Sequence, residues 1–292
     1  CTPWASGGKQ EGLANPISMI YFETLRFVHF NRPLSLIIEN SSNILSYAGG
    51  RLVRAIMSML REWGYHAQHH LMNTQQQGLP HYRRRCYIAA VHNDAAQRLP
   101  EPPQPIPQMT VEELLVPRNE SDDPERRPHG RVPKLAVDLA IERRLSDTDP
   151  NRDWFTATHQ SEKWTRKGSK PRYLCPSLTH SHKDGPWIGT RGRPLLVQEA
   201  ARMQAVLHSQ FEWPASIAES YGLLGNTMTG SIVHRWQVRL FGAMHRQWQI
   251  PDRWQTGEAQ QELREEAAAK PTSTRPKHVQ RTLASMWAPK PE

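Results

Sequence analysis

The sequence lacks the features of a membrane or secreted protein. No run approaches the roughly 18 consecutive apolar residues of a membrane-spanning helix. The first residues, Cys1-Thr-Pro-Trp4, have neither the basic nor the apolar region of a signal peptide. They also lack an initiator Met, so we expect a cut or processed end or an incomplete gene model. These absences predict an intracellular protein without a membrane partner.

Cysteine is scarce as well. The 292 residues contain only Cys1, Cys86 and Cys175, too few and too scattered for a disulfide framework or a zinc site. We therefore expect a reducing setting and no metal. Hydrophobic residues are also few, at 37%, and 24 prolines indicate long extended connections.

Positive charge, in contrast, is abundant. Lys and Arg number 37 against 28 Asp and Glu, which gives a net charge of +9 and a pI of about 9.7. This balance favours a polyanionic partner such as nucleic acid, although many basic proteins merely have solvated cationic faces. Charge alone leaves both interpretations open.

Residues 1–95 alternate between helical and strand patterns. Residues 16–30 carry Ile17, Ile20, Tyr21, Leu25 and Val28 at helical spacing, and 51–63 form a second amphipathic helix. Strands are predicted at 34–38, 67–72 and 86–91. Strands that alternate with helices indicate a parallel sheet, here the C-terminal half of a doubly wound catalytic domain.

The composition changes beyond this half-domain. Residues 96–190 begin with a proline-rich connector, and within them 151–190 hold 7 bases against 3 acids, interleaved with Trp and Tyr. This suits a nucleic-acid surface, or equally a solvated loop. Helices are predicted again at 195–207 and 231–244, so 191–250 are expected to return to the catalytic domain. Residues 251–292 are expected to form one surface helix, 257–269, and a disordered polar and basic tail.

Several polar motifs stand where ligands bind in open α/β sheets. Glu39-Asn40 ends an apolar strand, and His81-Tyr-Arg83-Arg84-Arg85 precedes another. Alternation along an extended chain aims Arg83 and Arg85 to one face and Arg84 to the other. Each motif also has a structural reading: Glu39 and Asn40 could cap a turn, and the arginines could be a solvated cluster.

In their order and spacing the motifs resemble the DNA cytosine-5 methyltransferase family. Three matches lie in the first half: the Pro-Cys-Gln loop at Cys1-Thr-Pro with Gly8-Lys9-Gln10-Glu11-Gly12, Glu-Asn-Val at Glu39-Asn40-Ser41, and Gln-x-Arg-x-Arg at 81–85. Three more follow: the Thr-Leu recognition segment at 176–179, a helix at 193–204, and the last motif at Gly225-Asn226. In the helix at 193–204 we expect Glu199 to pair with Arg202. The resemblance covers about residues 1–95 and 172–240. It implies a partial Rossmann-like sheet of the S-adenosylmethionine-dependent type, missing its N-terminal strands, with a smaller irregular target-recognition region.

The resemblance also implies roles for individual residues. Cys1 would add to C6 of a flipped cytosine, and Glu39, kept protonated by burial, would hold the ring at N3. Asn40 would support the loop or base, Arg85 would contact the base and the carboxyl group, and Arg83 would contact the nucleotide's backbone. The methyl donor would be S-adenosylmethionine, beside Asn226 and Thr227. Contacts to double-stranded DNA are expected from Ser177, Thr179, Lys163, Arg166 and Lys167.

Some departures from the family pattern matter. His81 replaces a Gln, Thr2 a Gln, Ala5 a Ser and Ser41 a Val. No Gly-rich cofactor loop precedes Cys1, so we expect weak S-adenosylmethionine binding by this chain and an exposed flank of the sheet.

Two other functions remain open: a tRNA cytosine-5 methyltransferase, and an inactive remnant that only binds nucleic acid. The proline-rich insertion and the polar tail lean towards a eukaryote, which would place the protein in the nucleus.

Overall fold

The computed structural model describes most of the chain. The described residues are 2–4, 11–144, 152–158, 161–168, 172–179, 184–214, 216–244 and 250–269. Cys1, residues 8–10 of the first motif and the predicted tail beyond residue 269 lie outside them.

Eight α-helices and eight strands are assigned within these ranges. The helices are α1 (Ser18–Asn31), α2 (Arg51–Glu62), α3 (Arg131–Arg144), α4 (Glu162–Gly168), α5 (Val197–Arg202), α6 (Ile217–Asn226), α7 (Gly230–Met244) and α8 (Glu258–Ala268). The strands are β1 (Ser35–Ser41), β2 (Tyr65–Asn73), β3 (His81–Tyr82), β4 (Arg84–His92), β5 (Phe155–Thr156), β6 (Cys175–Pro176), β7 (Trp187–Ile188) and β8 (Arg193–Pro194). No helix of the described ranges is long and apolar enough to cross a membrane.

The main sheet has the order β1-β4-β2, and β4 runs antiparallel to both neighbours. The expectation of a purely parallel sheet was therefore wrong for β4. The reason lies in the connection, because the segment between β2 and β4 contains no crossover helix, and a parallel return needs a dozen or more residues. Helix α2, in contrast, does connect β1 to β2, which run parallel to each other on either side of β4.

Both faces of this sheet are covered. Cys86, Ile88 and Ala90 on β4 pack into the core formed with α1 and α2. Tyr87 and its neighbours Ala89 and Val91 alternate to the other face, where they meet Ile232, Trp236 and Leu240 of α7. Burial on both faces explains why β4 is an unbroken apolar run rather than an alternating one. The result is a three-layer α/β/α arrangement.

Helix α1 is apolar on two sides. Tyr21, Leu25 and Val28 are buried against the sheet, as predicted. Ile17 and Ile20 were predicted to share that face, but they are 49% and 67% exposed. The spacing misled because apolar residues occur around the whole helix, so periodicity alone could not choose the inward stripe.

Elements outside the main sheet build a second core. The short antiparallel sheet β5-β7-β8 and helices α5, α6 and α8 contribute to it, with Phe155, Ile188, Ala200 and Leu224 among its buried members. Helix α5 ends at Arg202, earlier than predicted, because the chain turns through Ala205 at φ 58°. The expected pair of Glu199 with Arg202 is replaced by one with Arg193, at 2.8 Å.

Candidate active site

The predicted polar motifs meet at one edge of the main sheet. Because β4 runs antiparallel to β1, its first residues lie beside the last residues of β1, and Ser41 is paired with Arg85 and Glu39 with Tyr87. The reversed direction of β4 therefore brings the arginine motif to the Glu-Asn motif. A parallel β4 would have carried the arginines to the opposite end of β1.

Glu39 is the centre of this cluster. Its side chain is 8% exposed, and its Oε1 lies 3.0 Å from Nε of Arg85 and 3.8 Å from a terminal nitrogen of Arg83. Arg84 is exposed. The predicted alternation of the three arginines is thus confirmed, with two guanidinium groups beside one carboxyl group.

Arg83 is buried more deeply than expected. Its side chain is 1% exposed and donates hydrogen bonds to the carbonyls of Leu178 at 2.8 Å, Thr227 at 2.9 Å and Gly225 at 3.2 Å. Burial lowers the pKa of its guanidinium to about 10, so the group remains charged near neutral pH. These bonds differ from the expected contact with a nucleotide backbone, since both terminal nitrogens are engaged by the protein.

Arg85 connects the cluster to the recognition segment, residues 176–179. Its guanidinium donates to Oγ of Ser177 at 3.3 Å and to the carbonyl of Arg84 at 2.9 Å. Ser177 and Thr179 are both half-buried, with Leu178 fully buried between them. The structure therefore brings the Thr-Leu-like segment next to the arginines that pair with Glu39, although the segment and Glu39 lie far apart in the sequence.

The residues that follow Cys1 reach the same strand end. Oγ of Ser41 donates to the carbonyl of Trp4 at 3.4 Å, and Trp4 packs edge-on against Tyr21 and Tyr47. Asn40 is 4% exposed, and its Oδ1 accepts from the backbone N–H of Ser41 at 2.8 Å. Asn40 thus fixes the local backbone that holds Ser41 against Trp4.

The two described cysteines are unsuited to nucleophilic chemistry. Cys86 and Cys175 are both buried and carry free thiols. Burial, with a smaller contribution from Glu39, raises the pKa of Cys86 to about 12, and burial likewise raises the pKa of Cys175. A thiolate is the reactive form of cysteine, and neither residue provides one near neutral pH.

The predicted cofactor residues lie at the end of α6 and in the turn before α7. Asn226 is exposed, and Oγ1 of Thr227 donates to the carbonyl of Leu223 at 2.9 Å. This turn is tied to the arginine motif through Arg83 and through a contact of 2.9 Å between the hydroxyls of Thr74 and Thr229. The sequence reasoning missed Thr74, although its position directly after β2, at the same sheet edge, was a usable signal.

The basic residues that were predicted to contact DNA lie outside this cluster, on α4. Lys163, Arg166 and Lys167 are exposed on α4, which packs on α3. Arg166 is paired with Glu162 at 2.8 Å, and a hydrogen bond from Arg166 lowers the pKa of that carboxyl group. No cluster of three or more potential metal ligands occurs among the residues that the structure describes.

A comparison with solved structures gives the class of fold. A methyltransferase structure from Entamoeba histolytica, EhMeth, matches with a TM-score of 0.53 and 12% identity over 84% of this chain and 75% of that one. At this identity the likeness shows the fold alone, a Rossmann-like α/β fold with helices on both faces of the sheet.

The family follows from the sequence comparison. The chain belongs to the C-5 cytosine-specific DNA methylase family, whose model matches residues 1–236. It is 33% identical over 91 residues to the type II methyltransferase M.BanI of Aneurinibacillus aneurinilyticus, covering 31% of this chain and 21% of the relative. M.Bsp6I of Bacillus sp. (strain RFL6) is 23% identical over 253 residues, 84% of this chain and 77% of the relative. The first of these matches thus spans about a fifth of the relative's length.

Proposed function

We propose that the protein methylates C5 of cytosine in DNA through a covalent adduct between Cys1 and a flipped base. The observation that carries this proposal is a group of buried polar atoms at the strand edge. Nε of Arg83 is buried without a hydrogen bond from the described residues, and Oε1 of Glu39 and Nε of Arg85, 3.0 Å apart as an ion pair, are buried and make no hydrogen bond of good geometry there. Buried polar atoms normally have partners, so this group suits a polar ligand that brings its own.

A cytosine extruded from the helix fits this arrangement. Its pairing edge carries an acceptor at O2, an acceptor at N3 and a donor at the exocyclic amine. A guanidinium such as that of Arg85 can donate to O2, while a protonated Glu39 donates to N3 and accepts from the amine. An extruded base is needed because a stacked base hides the ring atom that is attacked.

The proposed reaction uses one nucleophile, the thiolate of Cys1. Sγ of Cys1 forms a bond to C6, and the proton that Glu39 supplies to N3 prevents negative charge from accumulating on the ring. C5 then takes the methyl group of a sulfonium donor, whose thioether leaves, and gives its proton to a base such as solvent. The bond from Sγ to C6 breaks as the C5–C6 double bond re-forms, and N3 returns its proton to Glu39. Trp4 is held at the end of β1, and the three peptide units between it and Cys1 limit how far the thiol can stand from Glu39.

The methyl group would come from S-adenosylmethionine, which supplies an electrophilic methyl when bound. The exposed amide of Asn226 and the remaining lone pairs of Thr227 are compatible with one wall of its site. Two residues enclose only a small part of a ligand of this size, so further residues must complete the pocket.

Double-stranded DNA is the proposed substrate. Thr179 would meet it beside the flipped base, and Lys163, Arg166 and Lys167 would meet its phosphates. A reducing intracellular compartment, the nucleus in a eukaryote, agrees with this activity.

The decisive test is covalent trapping. The full-length protein is incubated with S-adenosylmethionine and duplex DNA containing 5-fluorocytosine, where fluorine at C5 blocks the final proton loss. We expect a denaturation-resistant adduct that Cys1→Ala abolishes. Cys175→Ala is the matched control, because it removes a buried thiol, and it should retain the adduct.

Two outcomes would contradict the proposal. An adduct that survives Cys1→Ala would remove Cys1 from its role, and methyl transfer to tRNA but not to duplex DNA would assign the chain to the RNA-modifying branch. Absence of both methyl transfer and adduct from the full-length protein would favour an inactive remnant.

A further inference from the structure

The recognition segment contacts both arginines that hold Glu39. One connection runs from Oγ of Ser177 to the guanidinium of Arg85, whose Nε lies 3.0 Å from Glu39. The other runs from the carbonyl of Leu178 to the guanidinium of Arg83, 3.8 Å from the same carboxylate oxygen. Two adjacent residues of one segment thus reach one carboxyl group by separate routes.

Both connections lie within the protein. Leu178 is fully buried, Arg83 is 1% exposed, and the side chains of Arg85 and Glu39 are 13% and 8% exposed. Charge-assisted hydrogen bonds are stronger and more directional away from water than at a surface. A displacement of the recognition segment would therefore move the two guanidinium groups rather than be absorbed by solvent.

The second terminal nitrogen of Arg83 adds a connection to another part of the chain. Its other terminal nitrogen donates to Gly225 and Thr227, so one side chain joins the recognition segment, the α6–α7 turn and the carboxyl group. A planar guanidinium fixes the directions of its donors, and a lysine in its place could not reach three carbonyls in this geometry.

We propose that residues 176–179 form a positioning element for Glu39, acting through Arg83 and Arg85, so that placement of the recognition segment sets the orientation of the catalytic acid. This inference rests on the proposed function, and it makes Arg83 and Ser177 positioning residues rather than DNA contacts. Loss of either should slow the chemical step and leave DNA affinity nearly unchanged.

The test is a double-mutant cycle in the full-length protein. Methyl transfer from labelled S-adenosylmethionine to duplex DNA of mixed sequence is measured for wild type, Arg83→Lys, Glu39→Gln and the double variant. We expect Arg83→Lys to lower kcat by about 10- to 100-fold, because a small misplacement of a catalytic group has this effect, with KM for DNA changed less than about threefold. In the Glu39→Gln background the same change should have almost no effect.

Arg235→Lys is the matched control. Arg235 is also 1% exposed and also donates to a backbone carbonyl, that of Gln104, but it pairs with Asp252 instead of Glu39. Its replacement should cost similar thermal stability and leave kcat unchanged.

The results separate this inference from the proposed function. An Arg83→Lys loss that persists in full beside Glu39→Gln, or an unchanged kcat, would overturn the inference. Should Arg83→Lys fail to fold, Ser177→Ala in the same cycle decides: a lower kcat supports the inference, and a raised KM alone makes Ser177 a DNA contact and overturns it. Glu39→Gln with wild-type activity would instead refute the proposed acid itself.

Discussion

His81, where the family pattern has a Gln, lies at the junction between the arginine motif and the recognition segment. It is fully buried, and β3 pairs it in parallel with Cys175 of β6. Burial lowers the pKa of His81 from 6.5 to about 3, with the charges of Arg83 and Arg85 acting in the same direction. The ring is therefore neutral in the folded protein at physiological pH.

This burial predicts acid sensitivity. His81 binds a proton near pH 6.5 in the unfolded chain and only near pH 3 in the folded one. Its neutral form therefore lets the protein keep its full free energy of unfolding above pH 6.5, and this free energy falls as the pH drops from 6.5 towards 3. Between pH 7 and pH 5 the loss attributable to His81 should be about 2 kcal/mol. His81→Gln should abolish that share of the pH dependence, measured by urea unfolding at both pH values.

The test compares how much the free energy of unfolding changes between the two pH values, not its absolute size in each variant. His66→Gln, at a half-buried position on β2, serves as the reference. If His81→Gln retained the full wild-type pH dependence, a proton taken up elsewhere would have to account for the acid sensitivity.

Individual residues of the site were predictable where local alternation decided their direction. The shared face of Arg83 and Arg85 and the place of Glu39 at a strand end followed from the extended chain. What Arg83 binds did not follow, because its carbonyl partners lie about 95 and 142 residues away. Local patterns carry no information on such pairings.

At the level of elements, the types were predicted better than the directions and ends. The pattern predicts the strands and helices of the sheet, but the antiparallel direction of β4 follows from the short connection before it, which has no crossover helix and leaves no periodic signal. Helix α5 was predicted too long, since its apolar stripe continues past the turn at Ala205. Long-range packing, which ends α5, has no periodic signature.

The recognition region depends on a buried ion-pair network that no sequence motif indicated. Asp153 is fully buried and accepts from Arg191 at 2.8 Å and 3.0 Å, from Arg118 at 2.8 Å, and from the hydroxyl of Thr190. These bonds join the segment before β5 to the segment between β7 and β8. In a region of two-residue strands they replace much of what a longer ladder of backbone hydrogen bonds would provide.

Asp153→Asn should therefore destabilise this region strongly. It leaves the guanidinium of Arg191, 4% exposed, without its closest counter-charge, and breaking a buried pair in this way costs about 3–5 kcal/mol. Hydrogen exchange should locate the loss of stability at residues 187–193, and urea unfolding should give its size.

The control is Asp138→Asn, which breaks the 2.9 Å pair of Arg127 with a carboxyl group that is 46% exposed. It should cost under about 1 kcal/mol. Equal costs for the two variants would mean that the Asp153 network is not what holds the region together.

Across the whole molecule, the positive charges behind the net charge of +9 do not all act on a distant polyanion equally. Several of the less exposed arginines are paired internally: Arg191, Arg193 and Arg235 each lie within 3 Å of a carboxylate oxygen. Such charges contribute little to attraction of a polyanion, because their fields are largely cancelled nearby. The field that attracts DNA must come from the exposed cations, among them those of α4.

Lys163→Ala should accordingly weaken DNA binding without regard to sequence. Each phosphate contact that is lost should reduce the slope of log K against log salt concentration by about 0.9, since fewer counterions are released. Arg166→Ala should have a smaller effect, because Arg166 already pairs with Glu162. Fluorescence anisotropy with duplex DNA of mixed sequence, measured over a range of salt concentrations, gives both quantities.

Lys134→Ala on the neighbouring helix α3 is matched in charge, since either variant lowers the net charge from +9 to +8. If only the overall charge mattered, the two variants would bind DNA alike at every salt concentration. A smaller salt slope for Lys163→Ala alone would instead assign α4 to the DNA-facing side. An unchanged slope for both would place the DNA on another surface, and the predicted contacts of α4 would then be wrong. Because the slope counts phosphate contacts and is insensitive to which bases are read, this result does not depend on knowing the target sequence.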